Sequence, residues 1–296
     1  MSSPLFVTGN KGARWILSVP LLVFLAVLVV YPIVTGIQTA LLDRTLLNPE
    51  PEFVGTANFT RVLSDSSFWN ALRFTAIFTV VVTTIELVLG FLLALVFDKV
   101  FPGKRWLLSV IILPVMIAPA LMGIMFRLIL NQDIGLVPAI FQSLGQNVSL
   151  FSSGSIIPVL VILDLLQWTP FTFLLFYSAL QSVPEELYEA ASLDRASYPR
   201  VIASIVIPVL MPTVFIAGFL RAIDAFRTFD VVYVLTGGGP GNSTTTLSIY
   251  IYKILSGGDF GTASAAAAIV AIIMLPLVPI VVRRLNGDVV ARKKRK

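Results

Sequence analysis

Several charged side chains interrupt long apolar stretches of this chain, where charges are rare and need a partner or a polar environment. They are Glu86, Arg127, Asp164, Arg221 and Asp224, with Arg227 close behind the last of them. A charged residue at the centre of a bilayer costs about 2.5–3.5 kcal/mol on insertion scales, so each should face protein or a watery cavity. For Glu86 and Arg127 we expect a structural role, as an ion pair that locks helices together.

Two groups of polar residues have the chemistry to handle a hydroxylated solute. Asp164 and Trp168 lie on adjacent faces of one apolar segment, and Asp224, Arg227 and Thr228 lie at the end of another. Carboxylates accept hydrogen bonds from sugar hydroxyls, and an aromatic ring can pack against the C–H face of a sugar. These five residues are the candidates for a solute path.

The charge of that solute stays open at this point. Arg221 and Arg227 would suit an anionic solute, such as a glycerol phosphate or an acidic sugar. Asp164, Trp168 and Asp224 would suit a neutral sugar or polyol instead. The residue types alone do not choose between the two classes.

The composition places these residues in a membrane protein and argues against catalysis. Hydrophobic residues make up 57% of the chain and charged residues only 12%, with a mean hydropathy of +0.92. Soluble domains carry about 25% charged residues. There is no cysteine and no histidine, which excludes disulfides, thiolate metal sites and every Ser–His or Cys–His nucleophile. We expect no enzymatic activity, no metal site and no cofactor bound by this chain.

The elements that position the charged residues are apolar stretches long enough to cross a bilayer, which takes about 20 residues per helix. The sequence predicts an all-α membrane protein with six transmembrane helices, near 15–42, 74–97, 106–130, 156–180, 201–223 and 261–282. Residues 15–285 then form one transmembrane domain with a core of about 70–285, preceded by a segment 1–14 and followed by a basic tail 286–296. The first stretch is too long for the apolar core of a signal peptide and is expected to remain as an anchor.

The distribution of basic residues predicts which side of the membrane each loop faces. The segments before residue 15, at 98–105, at 181–200 and after 282 carry most of the lysines and arginines, whereas 131–155 carries none. Cytoplasmic segments are enriched in Lys and Arg, so both termini and the 181–200 loop are predicted to be cytoplasmic. The run at the C-terminus is read as this topological signal, with no nucleic-acid partner. The segments 43–73 and 131–155 are then external, with a short helix expected near 58–62.

The predicted cytoplasmic loop contains an acidic, amphipathic stretch, Glu185 to Tyr198, directly before an apolar span that is entered through Pro208 and Pro212. Pro184 favours a helix start, and carboxylates in the first turn are stabilised by the helix dipole. Taken alone, such a helix would most simply be a solvated surface helix.

A second distinctive stretch, YVLTGGGPGNSTTTLSIYIY at 233–252, contains four glycines around Pro240. Glycine costs about 1 kcal/mol and proline about 3 kcal/mol in a helix relative to alanine, so the backbone must leave the helix here. A phosphate-binding loop would need G-x-x-x-x-G-K-[ST], and no lysine follows at that spacing. The sequence therefore predicts an external turn that leads into an amphipathic or re-entrant segment.

Together, the two stretches resemble the permeases of carbohydrate ABC importers of the maltose and glycerol-3-phosphate uptake type, and in particular their maltose-permease F-like half. The first stretch is similar to the family's EAA loop, E-A-A-x-x-D-G-A followed by I-x-x-P, and the second to its L-T-G-G-G-P signature. The matching residues of the EAA loop are Glu189, Ala190, Ala191, Asp194, Ala196, Ile205 and Pro208. The resemblance covers about residues 15–285 and implies a type I ABC-importer permease fold with a cytoplasmic coupling helix.

The resemblance implies that this coupling helix seats in a cleft of a cytoplasmic ATPase. The implied ATPase-coupling residues are Glu185, Glu186, Glu189, Ala190, Ala191, Asp194 and Arg195, with apolar contacts from Leu187, Tyr188 and Leu193. Glu189 is the expected anchor. Arg195 stands where the family pattern has glycine; we expect it to adopt an ordinary backbone conformation there, or to pair with Asp194 or an ATPase carboxylate.

The implied partners are a second, G-like permease subunit, a dimer of ATPase subunits that bind ATP and Mg²⁺, and an extracytoplasmic solute-binding protein. The location is the bacterial inner membrane, and the polar residues that line the solute path in the family lie on the helices of Asp164 and Asp224. The alternative function from another class is a stand-alone secondary transporter or channel. The sequence has no evident inverted repeat of the kind such carriers often contain.

Overall fold

The computed structural model describes residues 11–48, 50–99, 102–276 and 279, with side chains from residue 18 onward. Most of the predicted segment 1–14, the end of the last predicted span and the tail 286–296 lie outside these residues. The described part is helical, with isolated bridges and no strand. The described residues divide into two compact units, one made of those up to Ser64 together with Ile251–Ile272, and the other of Asp65–Tyr250 with the described residues after Ile272.

In chain order the α-helices of the described residues are α1 Lys11–Leu25, α2 Tyr31–Ala40, α3 Ala57–Ser64, α4 Ser66–Asp98, α5 Lys104–Ile112, α6 Pro119–Ile129, α7 Leu136–Ser143, α8 Ile156–Leu180, α9 Glu185–Leu193, α10 Tyr198–Val201, α11 Ile207–Phe226, α12 Asp230–Thr236, α13 Leu247–Ser256 and α14 Phe260–Met274. Four helical stretches among them are long and apolar enough to cross a membrane: Ser18–Ala40, Ser66–Asp98, Ile156–Leu180 and Tyr198–Thr236, the last with a short break between α11 and α12. They coincide with four of the predicted spans, although the second and fourth are longer than predicted. The six-span count as a whole stays a prediction.

The predicted span at 106–130 is broken instead of straight. The helical segments Lys104–Met116 and Pro119–Ile129 meet at an angle of 95°. The first segment ends before Ile117, which is extended, and Pro119 keeps the preceding Ala118 out of the helical conformation, with a ψ of 135°. The break leaves the carbonyl of Ile117 without a helical partner, and the buried side-chain amide of Gln167 on α8 donates a hydrogen bond to it at 2.9 Å. Such compensation allows a non-helical backbone at membrane depth.

The first unit joins the beginning of the last helix to the segment that follows the first span. The predicted short helix near 58–62 is present as α3. Its Asn58 is buried and donates to the carbonyls of Ala40 and Leu42, at 2.9 Å each. Arg61 on the same helix donates to the hydroxyl of Thr262 at 2.9 Å. Because these contacts join distant parts of the sequence, the segment is ordered structure within the first unit.

The core of the second unit is built from α4, α8 and α11. Phe97, Phe173, Phe176 and Leu210 contribute to one buried apolar cluster of these helices. The helices α4 and α8 approach most closely at Gly90, where a Cβ atom would lie 2.3 Å from the Thr172 hydroxyl. Small residues permit this kind of close contact between membrane helices, where lipid provides no hydrophobic driving force.

The span that contains α10 and α11 is adapted to its prolines. Residues Ile202–Val206 form a π-helical turn immediately before Pro208, and Ile207 donates to the carbonyl of Ile202. Proline lacks an N–H group and clashes with the carbonyl four residues earlier, so a wider turn relieves the strain. A similar turn, Ala26–Val30, lies just before Pro32 in the first span. The prolines predicted at the entry of this span are therefore accommodated by the π-helical turn that precedes Pro208.

Candidate functional site

Arg221 on α11 lies at the centre of a buried cluster of charges. Its guanidinium donates to both carboxylate oxygens of Glu86 on α4, with Nη2 2.9 Å from Oε1. It also donates to Asp164 on α8 at 2.9 Å and to Asp224, one helical turn further along α11, at 2.7 Å. The side chains of Arg221 and Glu86 are 1% and 0% exposed. The cluster thus ties three spans together through a single cation.

The cluster extends towards solvent through Asp224 and Trp168. The other oxygen of Asp224 accepts a hydrogen bond from Arg227 at 3.1 Å, and this carboxylate is 30% exposed. The Arg221 guanidinium lies 4.8 Å from the centre of the Trp168 ring, in a cation–π arrangement. A carboxylate and a large aromatic ring therefore stand next to each other, and both are oriented by the same buried arginine.

These side chains line a cavity of about 470 Å³, a size typical of small-molecule sites. The lining residues are Trp168, Phe171, Leu220, Arg221, Ile223, Asp224 and Arg227. Three of the five solute-path candidates are among them. A fourth, Asp164, lies behind the wall as a ligand of Arg221, and is 9% exposed. The fifth, Thr228, follows Arg227 and accepts a hydrogen bond from Thr246 through its backbone carbonyl.

The predicted ion pair between Glu86 and Arg127 is wrong. Glu86 pairs with Arg221, whereas Arg127 donates to the backbone carbonyl of Val234 on α12 at 3.1 Å. The reason is the packing of α6, which lies against α12, with Gly123 in close contact with Val234. Glu86 does form an ion pair between helices, as expected, but its partner is Arg221 and not Arg127.

Sequence reasoning also missed the central position of Arg221, which it treated as a possible ligand for anions. A usable signal was present, since Asp224 is three residues away and side chains at this spacing meet on one helix face. The contributions of Phe171 and Leu220 to the cavity gave no such signal, because aromatic and aliphatic residues occur throughout the spans.

The acidic stretch forms a helix, as predicted. Helix α9 begins after Pro184 with Glu185 and Glu186 in its first turn, where the helix dipole stabilises negative charge. Ala191 is buried, and Tyr188 packs against the apolar cluster of the second unit. The remaining predicted coupling residues, Glu185, Glu186, Glu189, Ala190, Asp194 and Arg195, are exposed.

Helix α9 also exposes apolar side chains that the described residues do not cover. Leu193 is 85% exposed and Leu187 is 37% exposed. On one side, Gln181 donates to Asp98 at the end of α4 at 3.0 Å. On the other, the Lys99 ammonium lies 5.0 Å from the centre of the Tyr198 ring. The segments before and after the helix are therefore attached to the end of α4, and the described residues leave the outer face of α9 uncovered.

Tyr188 lies between these attachments. Burial raises the pKa of its hydroxyl, and the nearby Asp98 carboxylate and Tyr198 raise the pKa further. The hydroxyl is accordingly neutral at physiological pH.

The expectation of an ordinary backbone at Arg195 is wrong. Its φ is 52°, in the left-handed region that favours glycine. The cause is the termination of α9, where Ala196 donates to the carbonyl of Ala191 and Arg195 donates to that of Ser192. This is the Schellman pattern, which requires a left-handed residue directly after the helix. The sequence satisfies the pattern with arginine, at a cost of about 1–2 kcal/mol.

The glycine-rich stretch forms the predicted turn, between α12 and α13, and its external location stays a prediction. Gly237 ends α12 with a φ of 61°. The Thr236 hydroxyl accepts a hydrogen bond from the amide of Gly238 at 3.0 Å and lies 2.9 Å from the Thr244 hydroxyl. Threonine side chains thus satisfy the polar groups of a turn that helix bonds do not reach.

Comparison with known proteins shows similarity over nearly the whole chain. A family model described as "Binding-protein-dependent transport system inner membrane component" matches residues 86–290. The trehalose/maltose transport system permease protein MalF of Thermococcus litoralis is 34% identical over 88% of this chain and 89% of its own length. The sn-glycerol-3-phosphate transport system permease protein UgpA of Agrobacterium fabrum is 31% identical over 92% of this chain and 94% of its own.

A similar fold occurs in a chain of a solved bacterial transporter. The crystal structure of a bacterial alginate ABC transporter in complex with an alginate pentasaccharide-bound periplasmic protein contains a chain that superposes with a TM-score of 0.78. The match covers 91% of this chain and 92% of that one, at 20% sequence identity. The similarity at this level of identity is one of fold.

Proposed function

This chain belongs to the family of binding-protein-dependent inner-membrane transport components and is a permease of an ABC importer; from that premise we propose which solute it carries and which residues do the work. The proposed solute is a carbohydrate or a related polar molecule that an extracytoplasmic binding protein delivers. Its proposed path runs past Asp164, Trp168, Asp224, Arg227 and Thr228.

The charge cluster supports a neutral, hydroxylated solute over an anionic one. Arg221 contacts three carboxylates and is 1% exposed, so its positive charge is already compensated. The remaining cation of the cavity, Arg227, is paired with Asp224. A phosphate or carboxylate on the solute would meet three carboxylates and only two cations among these residues, and like charges repel strongly where water is scarce. Hydroxyl groups, in contrast, can donate to Asp224 while a sugar ring packs on Trp168.

The observation that carries this proposal is the position of the Asp224 carboxylate and the Trp168 ring beside the same cavity. Both are held by Arg221, which fixes their orientation before any solute enters. Fixed polar groups on an otherwise apolar wall are the usual means by which a small-molecule site obtains its specificity.

The proposed ATPase-coupling surface is the outer face of α9 and the residues that follow it. Exposed Glu189 would anchor the helix through a charge-assisted hydrogen bond, and exposed Leu187 and Leu193 would fill apolar positions in the cleft. The ATPase dimer binds ATP and Mg²⁺, and its closure moves α9 as a rigid body together with α4. This assignment includes a second permease subunit and places both termini in the cytoplasm of a bacterial cell.

The test is to reconstitute the chain with its ATPase, second permease and binding protein in liposomes, and to replace Glu189 by alanine. We expect Glu189→Ala to insert in the membrane but to lose at least about tenfold in solute-stimulated ATP hydrolysis and in uptake, because the anchoring hydrogen bond is removed. Glu52→Ala is the matched control, since Glu52 is also an exposed glutamate and lies outside α9. Normal coupling in Glu189→Ala would remove the docking role, and uptake by this chain alone without ATP would support a stand-alone carrier.

A further inference from the structure

A second cavity lies at the opposite end of α8 from the coupling helix. Its volume is about 330 Å³, and its lining residues are Arg127, Asn131, Phe151, Ile156, Leu235, Thr236, Gly239 and Pro240. Ile156 is the first residue of α8, and α9 follows the last turn of this 25-residue helix. A helix of that length spans roughly 37 Å, so the two features lie on opposite sides of a membrane. In the proposed topology this cavity opens to the exterior.

Two of the polar side chains that line this cavity, those of Arg127 and Asn131, are hydrogen-bond donors with unused capacity. One Nη atom of Arg127 is bound to the carbonyl of Val234, which fixes the direction of the guanidinium. Arginine has five N–H donors in a planar fork, so most of them stay available. The side-chain oxygen of Asn131 accepts from the backbone of Asp133 and Ile134, which directs its amide group as a further donor.

No acidic side chain compensates Arg127 within the described ranges of the chain, where the ion pairs involve Arg61, Arg221 and Arg227. The hydroxyl of Thr236 is not available as an acceptor for Arg127, since it already contacts Val232, Gly238 and Thr244. The cavity therefore combines an oriented, solvent-exposed arginine that no acidic side chain of the described residues pairs with, and a wall of mixed polar and apolar character. Its complement is a carboxylate, which can bind an arginine fork through two parallel hydrogen bonds.

We propose that this cavity is a docking site for an acidic side chain of the extracytoplasmic binding protein, with Arg127 as its specificity residue. The inference rests on the proposed topology and on delivery of the solute by such a protein. Charge complementarity identifies the occupant, because a neutral sugar would leave the arginine uncompensated. A carboxylate on a docking protein neutralises it and is withdrawn again when that protein departs.

The experiment measures docking separately from transport. The importer is assembled in nanodiscs, and the affinity of the fluorescently labelled, solute-free binding protein is determined by titration. We expect Arg127→Gln to weaken docking by about tenfold or more and Arg127→Glu to weaken it further, because charge pairs at an interface are strongly coupled. Arg73→Gln is the matched control, since Arg73 is an exposed arginine near the same end of the second unit that does not line the cavity.

A second experiment separates the loss of the Arg127 charge from misfolding of the variant. This chain has no native cysteine, so in an importer assembled with cysteine-free partner subunits Arg127→Cys can be modified at a single position from the external side with thiosulfonate reagents. Within one folded protein, a cationic adduct should restore docking and an anionic adduct should not. Equal docking with both adducts, or unchanged docking in Arg127→Glu, would overturn the proposal.

The same titration distinguishes a carboxylate on the binding protein from a group on the solute as the partner of Arg127. If Arg127 contacts the solute instead, docking of the solute-free protein stays at the wild-type value while the half-saturating solute concentration for uptake rises. That result would contradict the docking site. It would leave the coupling role of Glu189 and the cavity beside Asp224 untouched, because both are tested by other variants.

Discussion

Glu86 and Asp224 bind the same guanidinium in different surroundings. Glu86 is fully buried between spans, whereas the Asp224 side chain is 30% exposed at the wall of a cavity. Removal of one partner from a buried ion pair is strongly destabilising because it leaves a charge without compensation. A partly exposed carboxylate contributes less to stability because water can replace it. The two acidic residues of one cluster therefore have separable roles.

This difference gives a prediction at the level of single residues. We expect Glu86→Gln to lower the stability of the purified protein by about 3 kcal/mol, and Asp224→Asn to lower it by no more than about 1 kcal/mol. Asp224→Asn should nevertheless reduce uptake, because an amide accepts hydroxyl hydrogen bonds more weakly than a carboxylate. Thermal unfolding in detergent and uptake by reconstituted liposomes measure the two effects. Unchanged uptake by Asp224→Asn at several solute concentrations would return Asp224 to a structural role.

At the scale of helices, the contact between α4 and α8 decides whether the cluster can form, because Glu86 and Asp164 reach Arg221 from these two helices. Gly90 lies one turn from Glu86, and a Cβ atom there would approach the backbone nitrogen of Phe173 to 2.8 Å. The Thr172 hydroxyl adds a hydrogen bond across the interface, to the carbonyl of Glu86 at 2.9 Å. Only glycine at position 90 allows α4 and α8 to approach each other this closely.

Replacement of Gly90 therefore tests whether the close approach of α4 and α8 is needed for stability. We expect Gly90→Ala to destabilise the protein by about 1–3 kcal/mol, since a backbone atom cannot move aside as a flexible side chain can. Gly36→Ala is the control, because no atom lies within 4 Å of a Cβ built at that helical glycine. Alanine is the better helix former there by about 1 kcal/mol, so this variant should not be destabilised. Equal unfolding midpoints for the two variants would show that the α4–α8 contact tolerates a methyl group.

At the scale of the whole molecule, the proposed import mechanism requires the coupling helix α9 to face the cytoplasm and the cavity lined by Arg127 to face the exterior. The absence of native cysteine makes this testable with single introduced thiols. We expect Ser152→Cys, between α7 and α8, to react with an impermeant maleimide in right-side-out vesicles. Ser192→Cys on α9 should react only after the membrane is permeabilised. The reverse labelling pattern would place α9 where no ATPase can reach it.

The sequence by itself determined the fold class, four of the spans and the helical form of the acidic stretch. These features follow from the length of apolar runs, from helix-starting residues and from turn-forming glycines, all of which act over a few neighbouring residues. The family was also accessible from the sequence, since its two signature stretches are contiguous. Local signals of this kind do not depend on which helices become neighbours.

Only the tertiary structure decided which charges meet. Five acidic and basic residues within the spans offered several pairings, and the predicted partner of Glu86 was wrong because α6 packs against α12. The sequence also did not predict three further features: the 95° bend before α6, the hydrogen bond from Gln167 that compensates it, and the left-handed backbone of Arg195. Each depends on contacts between residues far apart in sequence, or on the hydrogen bonds that end a helix. The energy of a buried charge is set by its partners, and these are known only when the helices are packed.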